Sequence, residues 1–344
     1  MKVRSIVASI KIAWVLLILA GVVITTFAVT TMTTMKPAES QASGIELRLS
    51  SVDPPDPEPP CIIYRDIVGV PETTYLGLTV RVFNWKDTTL YFSITGSGEG
   101  YTFKTVQLGA VDSGKDKYFL LDAFATRPRP APEELEEGEK IETIELILSA
   151  YSDENYTDLV ETYTKQVTVH WINSEDPAWT IEVVNNFDDG TVQGWAIESL
   201  TGGYEIDIEV ATDYVLSSPY SLKARATHHR EGFLNRFRVY KNFITPNKDK
   251  IFAIFNLRLI ETYHENPLKT LTIRCNKSVL VHLGKEDTTL IHNLPGNRWM
   301  RIVVPLPKNT TITLSIWVQT YCYREGREKL CLWLDNFKII SKGT

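Results

Sequence analysis

Short runs in which apolar and polar residues alternate extend along this chain from Ile45 almost to its C-terminus. In the first run, Ile45–Leu49, every second side chain is apolar, which is the pattern of a strand with one buried face. Gly, Pro, Asp, Asn and Ser residues separate the runs at short intervals, as in β-sandwiches and unlike βαβ units. The 344 residues, 43% of them hydrophobic, suffice for more than one packed core. The sequence therefore predicts an all-β fold built from β-sandwiches.

The N-terminal segment has a different character. Residues 12–29 contain no charged side chain, and Lys2, Arg4 and Lys11 precede them. As a helix this stretch is about 27 Å long, close to the ~30 Å core of a bilayer. Flanking cations favour a cytoplasmic N-terminus, so residues 1–43 are predicted to hold a single-pass anchor and linker, with the bulk of the chain extracellular. A cleaved signal peptide is the alternative.

The charge of the remaining chain is acidic. Four of the 36 basic residues and no acidic residue precede Glu39, so 32 basic residues face 42 acidic ones beyond that point. This balance argues against a nucleic-acid partner, which requires a basic footprint. The sequence also lacks a nucleophile elbow, a P-loop and a dinucleotide fingerprint. We therefore expect a protein that is not an enzyme.

Residues 44–175 are predicted to form an immunoglobulin-like sandwich, because they contain seven short alternating runs. These predicted strands cover Ile45–Leu49 and residues 76–85, 89–95, 103–108, 117–121, 141–150 and 160–171. Residues 127–140, with three prolines and five glutamates, are predicted to form a solvated loop. Residues 176–344 are predicted to form a second sandwich.

The last two runs of the chain are predicted to form a hairpin that turns at Gly326. This register places Cys322 opposite Cys331 at a non-hydrogen-bonded position, where Cα atoms approach to about 4.5 Å. A disulfide can bridge that distance. The sequence therefore predicts a cross-strand disulfide between these cysteines, with two unpaired buried thiols as the alternative.

The same hairpin register assigns each residue to one of two faces. The predicted core face contains Leu314, Ile316, Val318, Thr320, Cys322, Cys331, Trp333, Asp335, Phe337 and Ile339. The predicted outer face contains Trp317, Gln319, Tyr321, Tyr323, Leu330, Leu332, Leu334 and Asn336. Aromatic rings beside an amide suit a sugar, because a ring packs on its C–H face while the amide binds its hydroxyls. The candidate carbohydrate-binding residues are therefore Trp317, Gln319, Tyr321 and Tyr323. The alternative is that this face is buried, either against the first sandwich or under a loop.

Four segments of the C-terminal half resemble the galactose-binding-like jelly rolls of carbohydrate-binding modules. They are residues 186–195 (NFDDGTVQGW), 217–223 (SSPYSLK), 297–306 (NRWMRIVVPL) and 332–339 (LWLDNFKI). The resemblance implies a jelly-roll fold for residues 176–344 and non-catalytic binding of carbohydrate. It also implies that Phe187 and Trp195 are core residues.

The resemblance further implies a structural Ca²⁺ between the first and last strands of the jelly roll. Its ligands would be Asp188, Asp335 and carbonyl oxygens near Ser218, since Ca²⁺ prefers oxygen ligands. The alternative for Asp335 is that its carboxylate accepts hydrogen bonds from backbone amides at the sheet edge.

These observations lead to two functional hypotheses. The first is a membrane-anchored cell-surface protein whose distal jelly roll binds extracellular carbohydrate or a glycosylated surface. The second is a structural subunit of a cell envelope or filament, whose sandwiches bind other protein chains or further copies of this chain.

Overall fold

The computed structural model describes residues 44–49, 62–200, 204–216, 219–228, 234–261, 268–283, 299–321 and 329–343. Within these ranges the chain is all-β, with no α-helix and one 3₁₀ turn at Pro132–Glu134. None of their residues lies in a helix with the length and hydrophobicity of a membrane span. The predicted anchor at residues 12–29 lies outside the described residues.

The described residues contain twenty strands, which form four sheets. They are β1 Ile45–Leu49, β2 Ile62–Asp66, β3 Thr73–Asn84, β4 Leu90–Ser97, β5 Thr102–Phe103, β6 Val106–Val111, β7 Lys115–Pro128, β8 Glu139–Tyr151, β9 Leu159–Ile172, β10 Thr180–Asn185, β11 Ala196–Ser199, β12 Tyr204–Ala211, β13 Ser221–His228, β14 Leu234–Ile244, β15 Lys250–Glu261, β16 Leu268–Cys275, β17 Ser278–Leu283, β18 Met300–Pro305, β19 Thr311–Tyr321 and β20 Lys329–Lys342.

The first nine strands form a sandwich of two sheets, ordered β1-β3-β7-β5 and β2-β9-β8-β4-β6. Leu47 and Val80 from one sheet and Phe92 and Leu146 from the other meet in a shared core without exposed surface. Each of the seven predicted strands overlaps an observed one, because their alternation reflects real one-sided burial. The alternation did not predict β2, which follows a proline-rich stretch, and it merged the two-residue β5 with β6 into one run.

The second sandwich also has two sheets. The six-stranded sheet has the order β12-β13-β20-β15-β18 with β10 paired to β20, and the five-stranded sheet has the order β11-β14-β19-β16-β17. As predicted, Phe187 and Trp195 are buried in the core between them. The Trp195 ring lies edge-on to Phe337, with the ring centroids 5.2 Å apart.

The predicted hairpin between the last two strands is wrong. β19 lies between β14 and β16 in the five-stranded sheet, whereas β20 lies in the six-stranded sheet. Tyr321 accordingly pairs with Leu234 and not with Leu332. Alternation shows which side chains of a strand are buried, but it carries no information about which strand lies beside it. Each of these two long strands has a neighbour on both sides within its own sheet: β19 lies between β14 and β16, and β20 lies between β13 and β15.

A β-bulge in β20 changes which side chains face the core. Asp335 pairs with Asn256 and Lys338 with Ile254, so two residues of β20 face one residue of β15. The extra residue is Asn336, whose φ is 51°. The bulge reverses the alternation, and the core receives Leu332, Leu334, Phe337 and Ile339. Cys331, Trp333 and Asp335 therefore do not lie on the core face that was predicted for them.

The outer face of the six-stranded sheet packs against the first sandwich. The apolar part of this interface consists of Tyr64, Ile172, Trp179, Phe252, Ile254, Val303 and Ile340. Beside it, the Nη2 atom of Arg301 lies 2.6 Å from the carboxylate of Asp66, which is fully buried. Ser174 Oγ donates to the same carboxylate at 2.6 Å. The described residues from Gly44 onward thus form one compact unit with two cores.

Glu139 at the start of β8 is a second ionic link across this interface. It was predicted to lie in a solvated loop, but it is buried and pairs with Lys250 of the second sandwich. Burial alone would raise its pKa, but hydrogen bonds from His170, at 3.0 Å, and from Lys250 outweigh that effect and lower the pKa to about 2. Its unfolded-state value is about 4.3, so the stabilisation is complete above that pH and is lost as the pH falls towards 2.

Replacing Glu139 with Gln is expected to remove up to about 3 kcal/mol of stability at neutral pH and to leave the protein nearly unaffected near pH 2. Urea denaturation between pH 2 and pH 7 measures the difference. Glu137→Gln is the matched control, because its exposed carboxylate also pairs with a lysine, Lys342. A wild-type advantage that stays constant across this pH range would contradict the assignment.

Candidate functional site

The outer face of the five-stranded sheet carries polar and aromatic side chains from its three central strands. Residues directly opposite each other in an antiparallel pair lie on the same face. Arg238 of β14 and Thr272 of β16 are both opposite Trp317 of β19. Tyr240 and Arg274 are both opposite Ser315, which lies two residues from Trp317 and therefore on the same face. These side chains therefore cover one continuous area, which we call the Trp317 face.

Two aromatic rings and two guanidinium groups alternate across the Trp317 face. The Cζ atom of Arg238 lies 4.7 Å from the ring centroid of Tyr240 and 5.6 Å from that of Trp317. On the other side of the indole, the Cζ atom of Arg274 lies 4.4 Å from the Trp317 centroid. Such cation–π contacts are attractive because the ring faces are electron-rich. The half-buried indole is thus held in one orientation between two arginines.

Short polar side chains form the floor beneath this stack. Ser315, Thr272 and Gln319 are buried. Trp317 Nε1 donates to Ser315 Oγ at 2.7 Å, and Arg236 Nε donates to Gln319 Oε1 at 2.7 Å. These bonds restrict the side-chain rotamers of the face before any ligand arrives, which lowers the entropic cost of binding.

Only some of the predicted carbohydrate-binding residues are found on this face. Trp317 and Gln319 lie on it together. Tyr321 ends β19 opposite Leu234, and Tyr323 lies outside the described residues. The predicted leucine neighbours from β20 belong to the other sheet, because the hairpin that placed them here does not exist.

Three members of the face were not predicted from the sequence: Tyr240, Arg274 and Glu198. The carboxylate of Glu198 on β11 lies 2.6 Å from Nη2 of Arg238 and completes the edge beside β14. A signal for β14 was present, since Arg236, Arg238, Tyr240 and Asn242 alternate with apolar residues. No comparable signal links β16 to β19, because their pairing is set by the tertiary fold.

The outer face of the six-stranded sheet has its own aromatic cluster, which is closed. Trp333 is buried, with its ring centroid 4.9 Å from that of Tyr214. Its Nε1 donates to Asp213 at 3.1 Å, and Lys223 pairs with the same carboxylate at 2.7 Å. Burial raises the pKa of Asp213, but hydrogen bonds from Lys223 and Trp333 outweigh it and lower the pKa overall. A buried indole with a satisfied N–H offers no surface to a ligand.

The predicted calcium ligands have different environments. Asp335 is fully buried, and its two carboxylate oxygens accept the backbone N–H groups of Leu216, at 2.9 Å, and Asn336, at 2.7 Å. Asp188 is exposed in a turn, where it accepts a hydrogen bond from the amide of Asn186. Ser218 lies outside the described residues, and no cluster of three or more His, Cys, Asp or Glu side chains occurs within them. The contacts of Asp335 fit the amide alternative, and the calcium site stays a prediction.

Replacing Asp335 with Ala is expected to lower the free energy of unfolding by about 1–3 kcal/mol for each amide left buried without a partner. The loss should also loosen the bulge at Asn336, because the carboxylate holds that N–H. Chemical denaturation measures the effect. Asp188→Ala is the control, since that carboxylate is exposed and its loss should change stability by less than about 0.5 kcal/mol. Equal effects of the two variants would contradict a special role for Asp335.

The predicted disulfide falls partly outside the described residues. Cys331 is buried on β20, and Cys322 is not among the residues described. The structure contains no disulfide within the described ranges. The described parts of β19 and β20 lie in different sheets, so they do not support the predicted register, and the disulfide stays a prediction.

No protein-family model and no curated protein matches this chain. Among solved structures, it is similar to a carbohydrate-binding module of the β-sandwich superfamily, with 13% identity and a TM-score of 0.35 over 77% of this chain and 92% of the other. It is also similar to a xylan-binding domain from Paenibacillus barcinonensis, with 15% identity and a TM-score of 0.29 over 48% of this chain and 97% of the other. The K1 cleaved adhesin domain of Lys-gingipain from Porphyromonas gingivalis matches with 13% identity and a TM-score of 0.32 over 48% and 99%.

The first two of these structures are carbohydrate-binding modules, the kind of protein that the sequence resembles. At such low identities and TM-scores, nothing about the ligand or activity of this chain follows from the similarity.

Proposed function

We propose that this protein binds carbohydrate without catalysing a reaction, and that the Trp317 face is the binding surface. The observation that carries the proposal is the alternating stack of Tyr240, Arg238, Trp317 and Arg274 above a floor of short polar side chains. Sugars present both C–H groups and hydroxyls, so they need apolar surface and hydrogen-bond donors close together. The stack supplies both, on a rigid sheet.

The position of the face within the molecule supports the same proposal. The sheet that contacts the first sandwich is the six-stranded one, through Phe252, Ile254 and Val303. The Trp317 face belongs to the opposite sheet of the second sandwich. Of the two alternatives for this face, burial against the first sandwich therefore applies to the other sheet, and cover by a loop stays an alternative.

Three finer assignments belong to this proposal. The first sandwich is assigned as immunoglobulin-like and the second as a jelly roll. Residues 12–29 are assigned as the segment that attaches the protein to the membrane, with the described sandwiches on the extracellular side. In this arrangement the first sandwich is a spacer that holds the binding face away from the membrane.

A structural role in an envelope or filament is the second candidate. It is favoured by Ile181 and Val184, which are more than half exposed on β10. Within the described residues β10 pairs only with β20, so it has an open edge. The unpaired backbone N–H and C=O groups of an edge strand can pair with a strand of another chain, and exposed apolar side chains can pack against it.

Binding of the purified protein to a glycan array, first in Ca²⁺ and then in chelator, tests the proposal. Specific binding to one class of glycan would support it, and loss of that binding in chelator would support the predicted calcium site. Absence of binding in both conditions, together with concentration-dependent assembly in sedimentation experiments, would replace it with the structural role.

A further inference from the structure

The two arginines that flank Trp317 differ in how their charge is balanced. Arg238 is neutralised by Glu198, whose carboxylate lies 2.6 Å from Nη2 and 2.7 Å from Nε. Arg274, on the other side of the indole, has no acidic partner among the residues that the structure describes. The stack therefore holds one guanidinium charge that the described part of the protein does not compensate.

The hydrogen bonds of Arg274 are also incomplete. Its Nε atom is buried and has no hydrogen-bond partner. A guanidinium has five N–H donors, and a donor that is withdrawn from water without an acceptor is costly. The contact with Trp317, at 4.4 Å from Cζ to the ring centroid, fixes the group in place but accepts no hydrogen bond from it. The Arg274 side chain as a whole is only half-buried, so a ligand that brings an acceptor and a negative charge would meet its terminal N–H groups rather than the buried Nε.

We propose that the Trp317 face selects acidic polysaccharides, and that Arg274 binds the carboxylate or sulfate group of the sugar. This inference rests on the proposed carbohydrate-binding function. A carboxylate or sulfate accepts paired hydrogen bonds from a guanidinium, and a charged acceptor makes them about twice as strong as neutral ones. The sugar ring that carries the acid then lies beside the indole, above Thr272 and Ser315.

The charge of the whole molecule limits the class of anion. The chain has a net charge of −6, so a polymer with a high density of phosphates gains no net electrostatic attraction from the molecule as a whole. A polysaccharide with about one acidic group per sugar unit places a single anion next to Arg274 and neutral hydroxyls elsewhere. That spacing matches one uncompensated guanidinium surrounded by polar and aromatic side chains.

Affinity electrophoresis of the full chain tests this inference. The gels contain polygalacturonate, which is carboxylated, dextran sulfate, which is sulfated, neutral xylan, or polyglutamate, which has carboxylates but no sugar. We expect retardation by one of the two acidic polysaccharides and weaker binding at high salt. Arg274→Gln should weaken that binding about tenfold or more. Arg274→Lys should recover only part of it, because a lysine keeps the charge but loses the planar fork.

Arg225→Gln is the matched control. Arg225 lies on the outer face of the other sheet of the same sandwich and pairs with Asp207 at 2.9 Å, so its loss changes net charge equally but should leave binding unchanged. Melting curves of each variant show that it is folded. The two acidic gels distinguish a carboxylated from a sulfated ligand.

Each other outcome overturns the inference. Binding to xylan alone, or acidic binding that survives Arg274→Gln, would remove Arg274 as the selective group and leave the proposed function standing. Retardation by polyglutamate equal to that by polygalacturonate would show that charge alone is recognised. Binding to none of the polysaccharides would overturn both the inference and the proposed function.

Discussion

Replacing Arg301 with Met is expected to lower the free energy of unfolding by about 3–5 kcal/mol. The carboxylate of Asp66 has no exposed surface, and Arg301 contacts it with both Nε, at 3.1 Å, and Nη2, at 2.6 Å. Without the guanidinium, the buried carboxylate would keep hydrogen bonds from Ser174 and Val68. Lys338, a cation near it, donates to the Ser174 carbonyl instead. Urea denaturation followed by circular dichroism measures the loss.

Lys308→Met provides the control for this experiment. Lys308 pairs with Asp249 at 2.7 Å, but both side chains are about half exposed, so the pair should contribute less than about 1 kcal/mol. The double variant Asp66→Asn/Arg301→Met should recover part of the stability, because it removes the stranded charge. An Arg301→Met protein as stable as wild type would show that the contact between the sandwiches does not depend on this pair.

Replacing Trp317 with Ala is expected to weaken carbohydrate binding about 30-fold or more, equivalent to about 2 kcal/mol. The substitution removes the central ring and also releases Arg238 and Arg274, which the indole holds on either side. Calorimetric titration with the best ligand from the glycan array measures the effect. Trp317→Phe should retain part of the affinity, because a smaller ring still separates the two guanidinium groups.

Trp85→Ala is the control for Trp317→Ala. Trp85 is an exposed tryptophan of the first sandwich, and its ring is stacked on that of Phe83, with the ring centroids 5.3 Å apart. Its loss should leave binding within about twofold of wild type, since it is not on the Trp317 face. Unchanged binding in Trp317→Ala would exclude this face as the sugar site, whatever the array shows.

The alternation of apolar and polar residues predicts where strands lie in the sequence, but it does not predict which strands pair with each other. Ile45–Leu49 was predicted with the bounds that the structure shows, since burial of every second residue is a local property. The neighbours of β19 and β20 depend on contacts between residues far apart in the chain. The hairpin prediction therefore failed, and with it the expected positions of Leu332 and Leu334.

In the candidate site, too, local features were predicted and contacts between distant residues were not. Trp317 and Gln319 were predicted because they lie two residues apart on one strand. Arg274 was not, because it reaches Trp317 only through the pairing of β16 with β19. The bulge at Asn336 is a further nonlocal feature, since its effect is to turn Asp335 away from the core. A single residue at positive φ was enough to reverse the predicted faces of β20.

The interface between the two sandwiches has a mechanical consequence. Its ion pairs, Arg301 with Asp66 and Lys250 with Glu139, join different strands at separate places beside an apolar patch. A polymer that pulls on the Trp317 face would pull on both ion pairs and on the apolar patch, in addition to the chain that connects the two sandwiches. We therefore expect tension on a bound polymer to be carried by these contacts as well as by the chain that connects the two sandwiches.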